Sequence, residues 1–409
     1  MCHSVDAGGE KEGGVMTGAL DGIRVLDFTQ MMNGPMGTML LADFGADVIK
    51  VEPPQGDTFR KTGETFLGDD AAYFLTMNRN KRSVVLDLGT EAGKRAAREL
   101  AKHVDIVAVN FRPGIAEKLG ITYEELSAEN PGLIYCQTTA FGTEGDDSTR
   151  PGMDPVIQAL SGLMQLTGDE KTGPLKTGMP YCDLITPLLS TIGVMAALNA
   201  RQKTGKGQRI DLSMMDATIY SMIPRDSYYF STGDTPARMG NAHWQIVPYN
   251  TYETSDKRHV MIIAHTDKFW RALAGAVGAD DLLADERLAT KEGRLAHREI
   301  VDAGLARAFA KKPMAHWNKV LLEAGTMFAP VATFDEVFAD PRIQRDLVVE
   351  LDHPRAGRFK LLANPLKLSG TPLRKVSRPP VLGEHTEEVL AEFGIVLDRE
   401  GRTGRLEEA

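Results

Sequence analysis

The chain has 409 residues, enough for two domains, and its 42% hydrophobic and 25% charged content is that of an ordinary globular protein. A net charge of −9 argues against a general nucleic-acid role but leaves room for a local basic pocket around an anionic ligand. Three cysteines, Cys2, Cys136 and Cys182, form no CxxC or zinc spacing, which points to a reducing compartment and to no metal site.

Residues 1–16 are rich in Gly and charge and lack an apolar signal core, so they read as a disordered tail, with Met16 as an alternative start. No run reaches the ~18–20 uninterrupted apolar residues of a membrane span, and a cytoplasmic protein is expected. A strand at 23–28 is followed by a helix opened by Gly34-Pro35, where the missing proline N–H costs nothing. Gly45 stops that helix, and strands at 47–52 and 83–87 follow. A helix at 92–103, a strand at 105–110, a capping box at Thr122–Glu125 and a strand at 133–137 continue the alternation. Strands separated by helices of this length predict an α/β fold with a doubly wound, mostly parallel sheet, Rossmann-like, over a large domain at 17–230. The first strand-to-helix turn, Gln30-Met-Met-Asn-Gly-Pro-Met-Gly37, is not GxGxxG, which counts against a nicotinamide enzyme. A second, smaller α/β domain is expected at 231–333, and 334–409 is expected to return and complete the first domain.

The segment Lys176–Asp183 is turn-rich, and an apolar helix over 184–198 follows it directly. Asp183 stands where loop becomes helix. The local pattern supports a helix N-cap, and a carboxylate there is also held ionised by the helix dipole. A chemical role remains compatible with the same position. Cys182 beside it has no sequence-near His to activate a thiol.

Several motifs occur together in order: Leu20–Phe28, Gly45–Glu52, Asn80–Ser83, Asn110–Gly114, Asp154–Thr167, Thr204–Gln208, Asp211–Ala217 and Gly383–Thr386. With them the chain resembles the class III CoA-transferases, the formyl-CoA and carnitine CoA-transferase group, over about residues 17–395. The resemblance implies an acyl-CoA and a small carboxylic acid as substrates, no tightly bound cofactor, and a homodimer of interlocked rings. It implies that Asp183 is the nucleophile, attacking the thioester to give an aspartyl anhydride and then an aspartyl-CoA thioester. It also implies CoA contacts from Met31, Met32 and Asn33 in the first turn and from Leu86, Asn110 and Phe111. Lys118 stands where the family often has a phosphate-binding arginine, keeping the charge but not the bidentate fork. Arg112 is a further candidate for the CoA phosphates. Met32 replaces a glutamine of the formyl-CoA enzyme, which speaks against oxalate-specific transfer, as does the lack of a glycine run near 240–244, and Thr139, in place of a lysine there, is a further candidate CoA contact.

The racemase branch of the family pairs its aspartate with a His immediately before the acid matching Asp154. Met153 stands there, and methionine moves no proton, so transfer is favoured over isomerisation. Lys206 and Gln208 read as a bend before a strand, Asp216 as a helix cap or buried acceptor, and His243 and His385 as structural.

Overall fold

The computed structural model describes residues 18–397 and the backbone of 403–405, so the expected tail at 1–16 lies outside the described residues. The chain forms two compact units. The larger takes in the chain up to Ser161, Gly178–Ile223 and everything from Gln344 on; the smaller comprises Gly162–Thr177 and Pro224–Ile343. Where the sequence suggested a small domain at 231–333, residues 162–177 also join this unit, tied by Gly240 N–H to Gly168 O at 2.6 Å and by Arg238 to the carbonyls of Gln165 and Asp169.

The larger unit is built on six strands: β1 (Arg24–Asp27), β2 (Asp47–Glu52), β3 (Lys81–Val85), β4 (Ile106–Val109), β5 (Ile134–Thr139) and β6 (Gln208–Ser213). They lie in the order 3-2-1-4-5-6 with every neighbouring pair parallel, which is the doubly wound Rossmann order. Alternate residues face opposite sides, as strand pleating requires. Leu26, Ile49, Val84 and Val107 meet Ala96, Ala97 and Leu100 of the helix Glu91–Ala101. Val25, Val48, Ile106 and Ile134 meet two other helices, α1 (Asn33–Asp43), through Leu41 and Ala42, and α2 (Tyr181–Thr204), through Val194, Ala197 and Leu198. The strands are apolar on both faces because both are covered.

The two helices run parallel. Gly37 abuts Pro187 and Ser190, and one turn later Leu41 shares a core with Val194 and Leu198. Their N-termini therefore sit side by side at the carboxyl edge of the sheet. By length and hydropathy alone α2 could cross a membrane, the sole such helix among the described residues, but its buried residues fill the core against the sheet.

The C-terminal segment docks on the β3 edge without adding a strand. The Val85 N–H donates to the Thr386 hydroxyl and the Ser83 N–H to His385 Nδ1, while the His385 N–H donates to Ser83 O. Val389 and Leu390 of the following helix enter the core. The smaller unit packs a three-stranded antiparallel sheet of 249–253, 259–263 and 327–330 against helices around Trp270, Phe309, Trp317 and Leu321.

Candidate active site

Chain order reverses between β1 and β4, and a doubly wound sheet opens a crevice at such a switch point. A cavity of about 420 Å³ lies there. The turns after β1 and β4 line it with Met31–Asn33 and Asn110–Pro113, the carboxyl end of β5 adds Thr138–Ala140, and Asp183 of α2 faces it.

The first of these turns is fixed at Gln30, Met31 and Gly34. Asn110 clamps Gln30 in both directions, accepting its N–H at 2.9 Å and donating to its carbonyl at 2.7 Å. Met31 takes a left-handed φ of 69°, uncommon for a non-glycine residue, and its N–H donates to Asp57 at 3.1 Å. Gly34 lets the turn fold back on itself, since a Cβ there would lie 2.3 Å from Thr29 Cβ. Beneath the turn lies a buried ionic layer. Lys50, fully buried, pairs with Asp57 at 2.9 Å and donates to Thr29 O at 2.8 Å. Lys81 pairs with Asp27 at 3.0 Å, and Arg60 forks onto Glu52 while reaching Asp70. Burial opposes the charge on Asp27, but Lys81, Lys50 and the hydroxyls of Thr29 and Thr38 outweigh it and hold the carboxyl at about 2. Burial, with Lys50 nearby, brings Lys81 down to about 8 despite Asp27. Removing one member of such a layer leaves an uncompensated buried charge, so its members fix one another and the turn above them.

Asp183 is the third residue of α2, not its cap: Pro180 holds that position. The capping is done from a distance by Asp154, whose Oδ1 accepts the Cys182 N–H at 2.7 Å while its Oδ2 accepts from Gln158 at 2.6 Å. Relieved of that task, the Asp183 carboxylate is half-buried and faces the cavity. Burial first, and then the like charge of Asp154, push its pKa up to about 7. This corrects the expectation that the helix start holds Asp183 fully ionised; near neutrality it is divided between two protonation states. Pro187, four residues on, has no N–H to offer the Asp183 carbonyl, which loosens the first turn at this point. The Cys182 thiol is fully buried and raised by that burial to about 12, which removes it as a nucleophile.

Of the residues singled out from sequence, Met31, Met32, Asn33, Asn110, Phe111, Arg112, Thr139 and Asp183 come together in one cavity. Two do not. Leu86 is 2% exposed and belongs to the core beneath Phe111, and Lys118 lies exposed on the short helix Ile115–Leu119 outside the cavity. The Thr139 hydroxyl accepts the Gly142 N–H at 2.8 Å and so shapes the loop after β5. Sequence reasoning missed Phe59, Tyr73, Arg150 and Met214 as wall residues. Arg150 lies 5.3 Å over the Phe141 ring and, with Arg112, gives the rim positive charge. Phe59 and Tyr73 come from two short helices, Thr58–Arg60 and Ala72–Met77, too brief to carry a periodic signal, whereas Arg150 could have been suspected from its place four residues before Asp154. Asp216 does not cap its helix; Ser213 does, and Asp216 accepts the Ser213 hydroxyl in return at 2.6 Å. Gly207 packs against Leu133 O, where a Cβ would lie 1.9 Å away, so the 204–208 bend is structural. His243 accepts the Gln245 N–H and stacks on Trp244, and His385 holds β3 as described. Among the described residues no group of His, Cys, Asp and Glu side chains is arranged to hold a metal.

The sequence pattern of CoA-transferase family III matches residues 20–386. A succinyl-CoA:mesaconate CoA-transferase from Haloarcula hispanica is 38% identical over 398 residues, covering 92% of this chain and 97% of that protein. A succinate–glutarate CoA-transferase from Agrobacterium fabrum is 36% identical over 387 residues, covering 91% and 95%. Among solved structures, a CAIB/BAIF family protein from Brucella suis superposes with a TM-score of 0.85 at 36% identity, covering 92% of this chain and all of that one. A pinned first turn at the switch point, a carboxylate at the start of the central helix and near-complete alignment to these proteins agree: the chain belongs to CoA-transferase family III and is a class III CoA-transferase.

Proposed function

We propose that this enzyme moves CoA from an acyl-CoA to a dicarboxylic acid with Asp183 as the nucleophile. The observation that carries the reading is the unengaged Asp183 carboxylate at the head of α2, in the cavity bounded by the first turn. A carboxylate is a weak nucleophile in water, but a raised pKa makes its ionised form more basic, and confinement beside the thioester supplies orientation. The carboxylate oxygen attacks the thioester carbon, expelling CoA thiolate and leaving an aspartyl–acyl anhydride. The thiolate attacks the Asp183 carbonyl of that anhydride, releasing the donor acid and forming aspartyl-CoA thioester. The acceptor carboxylate attacks this thioester and expels thiolate again. Finally the thiolate attacks the acceptor's carbonyl, giving the new acyl-CoA and restoring Asp183. Backbone N–H groups at the heads of α1 and α2 are suited to the oxyanions.

Dicarboxylic acids are favoured because the similar enzymes named above act on mesaconate, succinate and glutarate, and because Arg112 and Arg150 at the rim suit a second carboxylate or the CoA phosphates. Met31, Met32, Asn33, Asn110, Phe111 and Thr139 are the wall for acyl-CoA, and Lys118 is left for phosphates beyond the cavity. Met153, on the cavity wall, moves no proton, which disfavours racemisation. A homodimer is supported by the apolar row Leu188, Ile192 and Met195 on the exposed face of α2, with Ile219, Tyr220 and Ile223 also exposed. A cytoplasmic site of action fits the absence of any disulfide-type cysteine spacing.

The test is direct. The enzyme is incubated with succinyl-CoA and a panel of mono- and dicarboxylic acids, and new CoA thioesters are read by mass spectrometry. Hydroxylamine should convert the aspartyl thioester to a hydroxamate on Asp183. Full transfer by Asp183→Asn would end this reading.

A further inference from the structure

A polar cavity of about 350 Å³ lies at the other edge of the six-stranded sheet. Asp47 opens β2 and Lys81 opens β3, and both border it. The cavity therefore sits at the amino ends of the strands, whereas the Asp183 cavity sits at their carboxyl ends. The C-terminal segment supplies more of the wall with Arg374, Ser377, Arg378 and His385, and Arg82 of β3 joins them. A cavity of this size is in the range that holds small metabolites.

The cations on this wall are only partly engaged. A guanidinium has five N–H donors. Arg374 uses two, on the carbonyls of Gly45 and Ala46 at 2.9 and 3.2 Å, and meets no carboxylate among the described residues. Arg378 uses three, two on Glu384 and one on Pro379 O. Arg82 uses four, on Asp47, Glu388 and Glu392. His385 Nδ1 accepts the Ser83 N–H, which leaves the ring proton on Nε2 as a further donor. The side-chain acceptors are taken. Both oxygens of Asp47 go to Arg82, and Asn80 Oδ1 accepts the N–H and the hydroxyl of Ser377. Lys81 adds no free charge here, because its ammonium turns to Asp27.

A wall with donors left over and acceptors filled suits an anion. A carboxylate is matched by a single guanidinium fork, as Glu384 on Arg378 shows. Donors left on several cations around one cavity suit a group with more oxygens and more charge. A phosphate group has three strong acceptor oxygens and nearly two charges at neutral pH. No Trp, Tyr or Phe among the described residues lines the cavity, so it offers no ring to stack on a nucleotide base. We propose that this cavity is a second ligand site, separate from the Asp183 cavity, which takes a phosphate group, free or carried by a small metabolite, with Arg374 as its main contact.

Calorimetric titration of the full chain with inorganic phosphate, glycerol 3-phosphate and succinate decides it. The native protein should bind phosphate, with an affinity that falls as NaCl is raised. Arg374→Gln should weaken that binding by about 10- to 100-fold. Arg374 also holds the carbonyls of Gly45 and Ala46, so a second variant guards against a mere loss of folding. Ser377→Asp puts a carboxylate on the wall at an exposed position and should weaken phosphate by a similar factor, with the melting midpoint within about 3 °C of native. Arg150→Gln, on the Asp183 cavity, should leave phosphate affinity unchanged. Tighter binding of glycerol 3-phosphate than of phosphate assigns the site to a phosphorylated metabolite, and the reverse order assigns it to the free anion. Either order supports the site. Absence of phosphate binding would overturn it, as would succinate binding as tightly as phosphate. So would native affinity in Ser377→Asp, or a loss in Arg150→Gln without one in Ser377→Asp, which would place the phosphate beside Asp183.

Discussion

Asp183→Asn should do two things at once: abolish CoA transfer, and stabilise the protein in a pH-dependent way. A carboxyl that titrates near 3.8 in the unfolded chain and at about 7 when folded binds its proton more tightly in the native state. The native state then holds more protons than the unfolded one between those two values, so stability falls as pH rises from about 4 to about 7. At about 1.4 kcal/mol per pH unit the full loss is about 4 kcal/mol, and solvent reaching the half-buried group reduces this to about 2 kcal/mol. Asparagine carries no charge at any of these values. The variant should therefore lead the native enzyme by less than about 1 kcal/mol at about pH 5, where the carboxyl is protonated in the folded state but already ionised in the unfolded one. At about pH 8 the variant should be the more stable by about 2 kcal/mol. For a chain of this size that is a rise of a few degrees in the melting midpoint, readable by differential scanning fluorimetry and quantified by urea denaturation at both pH values.

Removing a nucleophile that plays no structural part should not weaken the fold, and here it should strengthen it. If the pH 8 midpoint fell, or if the difference were the same at both pH values, the raised pKa and its assignment to burial and Asp154 would be wrong.

The same pKa predicts a kcat/KM that rises about tenfold per pH unit below 7 and levels off above it, since only the ionised nucleophile attacks; a flat profile from about pH 5 to 8 would contradict it. Arg60→Met leaves Glu52 and Asp70 buried without their cation and should cost about 3–5 kcal/mol of unfolding free energy by urea titration. Asn110→Ala removes both hydrogen bonds to Gln30 and should cut kcat/KM about tenfold while moving the melting midpoint little, measured by thioester formation and fluorimetry. Ile192→Glu puts a charge in the exposed apolar row of α2 and should turn the proposed homodimer into a monomer in analytical ultracentrifugation.

The parallel sheet was legible because its evidence is local. Runs such as Asp47–Glu52 carry β-branched residues, Val48, Ile49 and Val51, on both faces, and the Thr122 capping box appears where its spacing places it. The candidate site was legible only in part, and each miss has a long-range cause. Asp183 has the local pattern of a cap, but Asp154, 29 residues earlier in the chain, supplies the cap instead. Asp27 meets Lys81 across 54 residues, so no window on either residue shows that the first turn rests on buried charge. Leu86, just past the end of β3, enters the core against which Phe111 packs, and only the folded sheet shows this.

The site reconciles two demands that conflict in a simpler arrangement. The proposed reaction passes one negative charge among a carboxylate, a thiolate and two acids, so every station must tolerate an anion. The parallel heads of α1 and α2 supply that tolerance through free N–H groups at one end of the sheet. A nucleophile held too well by those groups would be a poor one, because stabilising its charge lowers its basicity. Burial and the neighbouring Asp154 carboxylate offset the helix heads and bring Asp183 to about 7. Because Asp154 is also the residue that caps α2, one carboxylate both fixes the position of the nucleophile and raises its pKa. Asp154→Asn should then separate the two effects: it keeps an oxygen to accept the Cys182 N–H but removes the charge. The pH midpoint for transfer should fall below 7, with a smaller change in stability than Asp154→Ala produces. An unmoved midpoint would leave burial as the sole cause of the raised pKa.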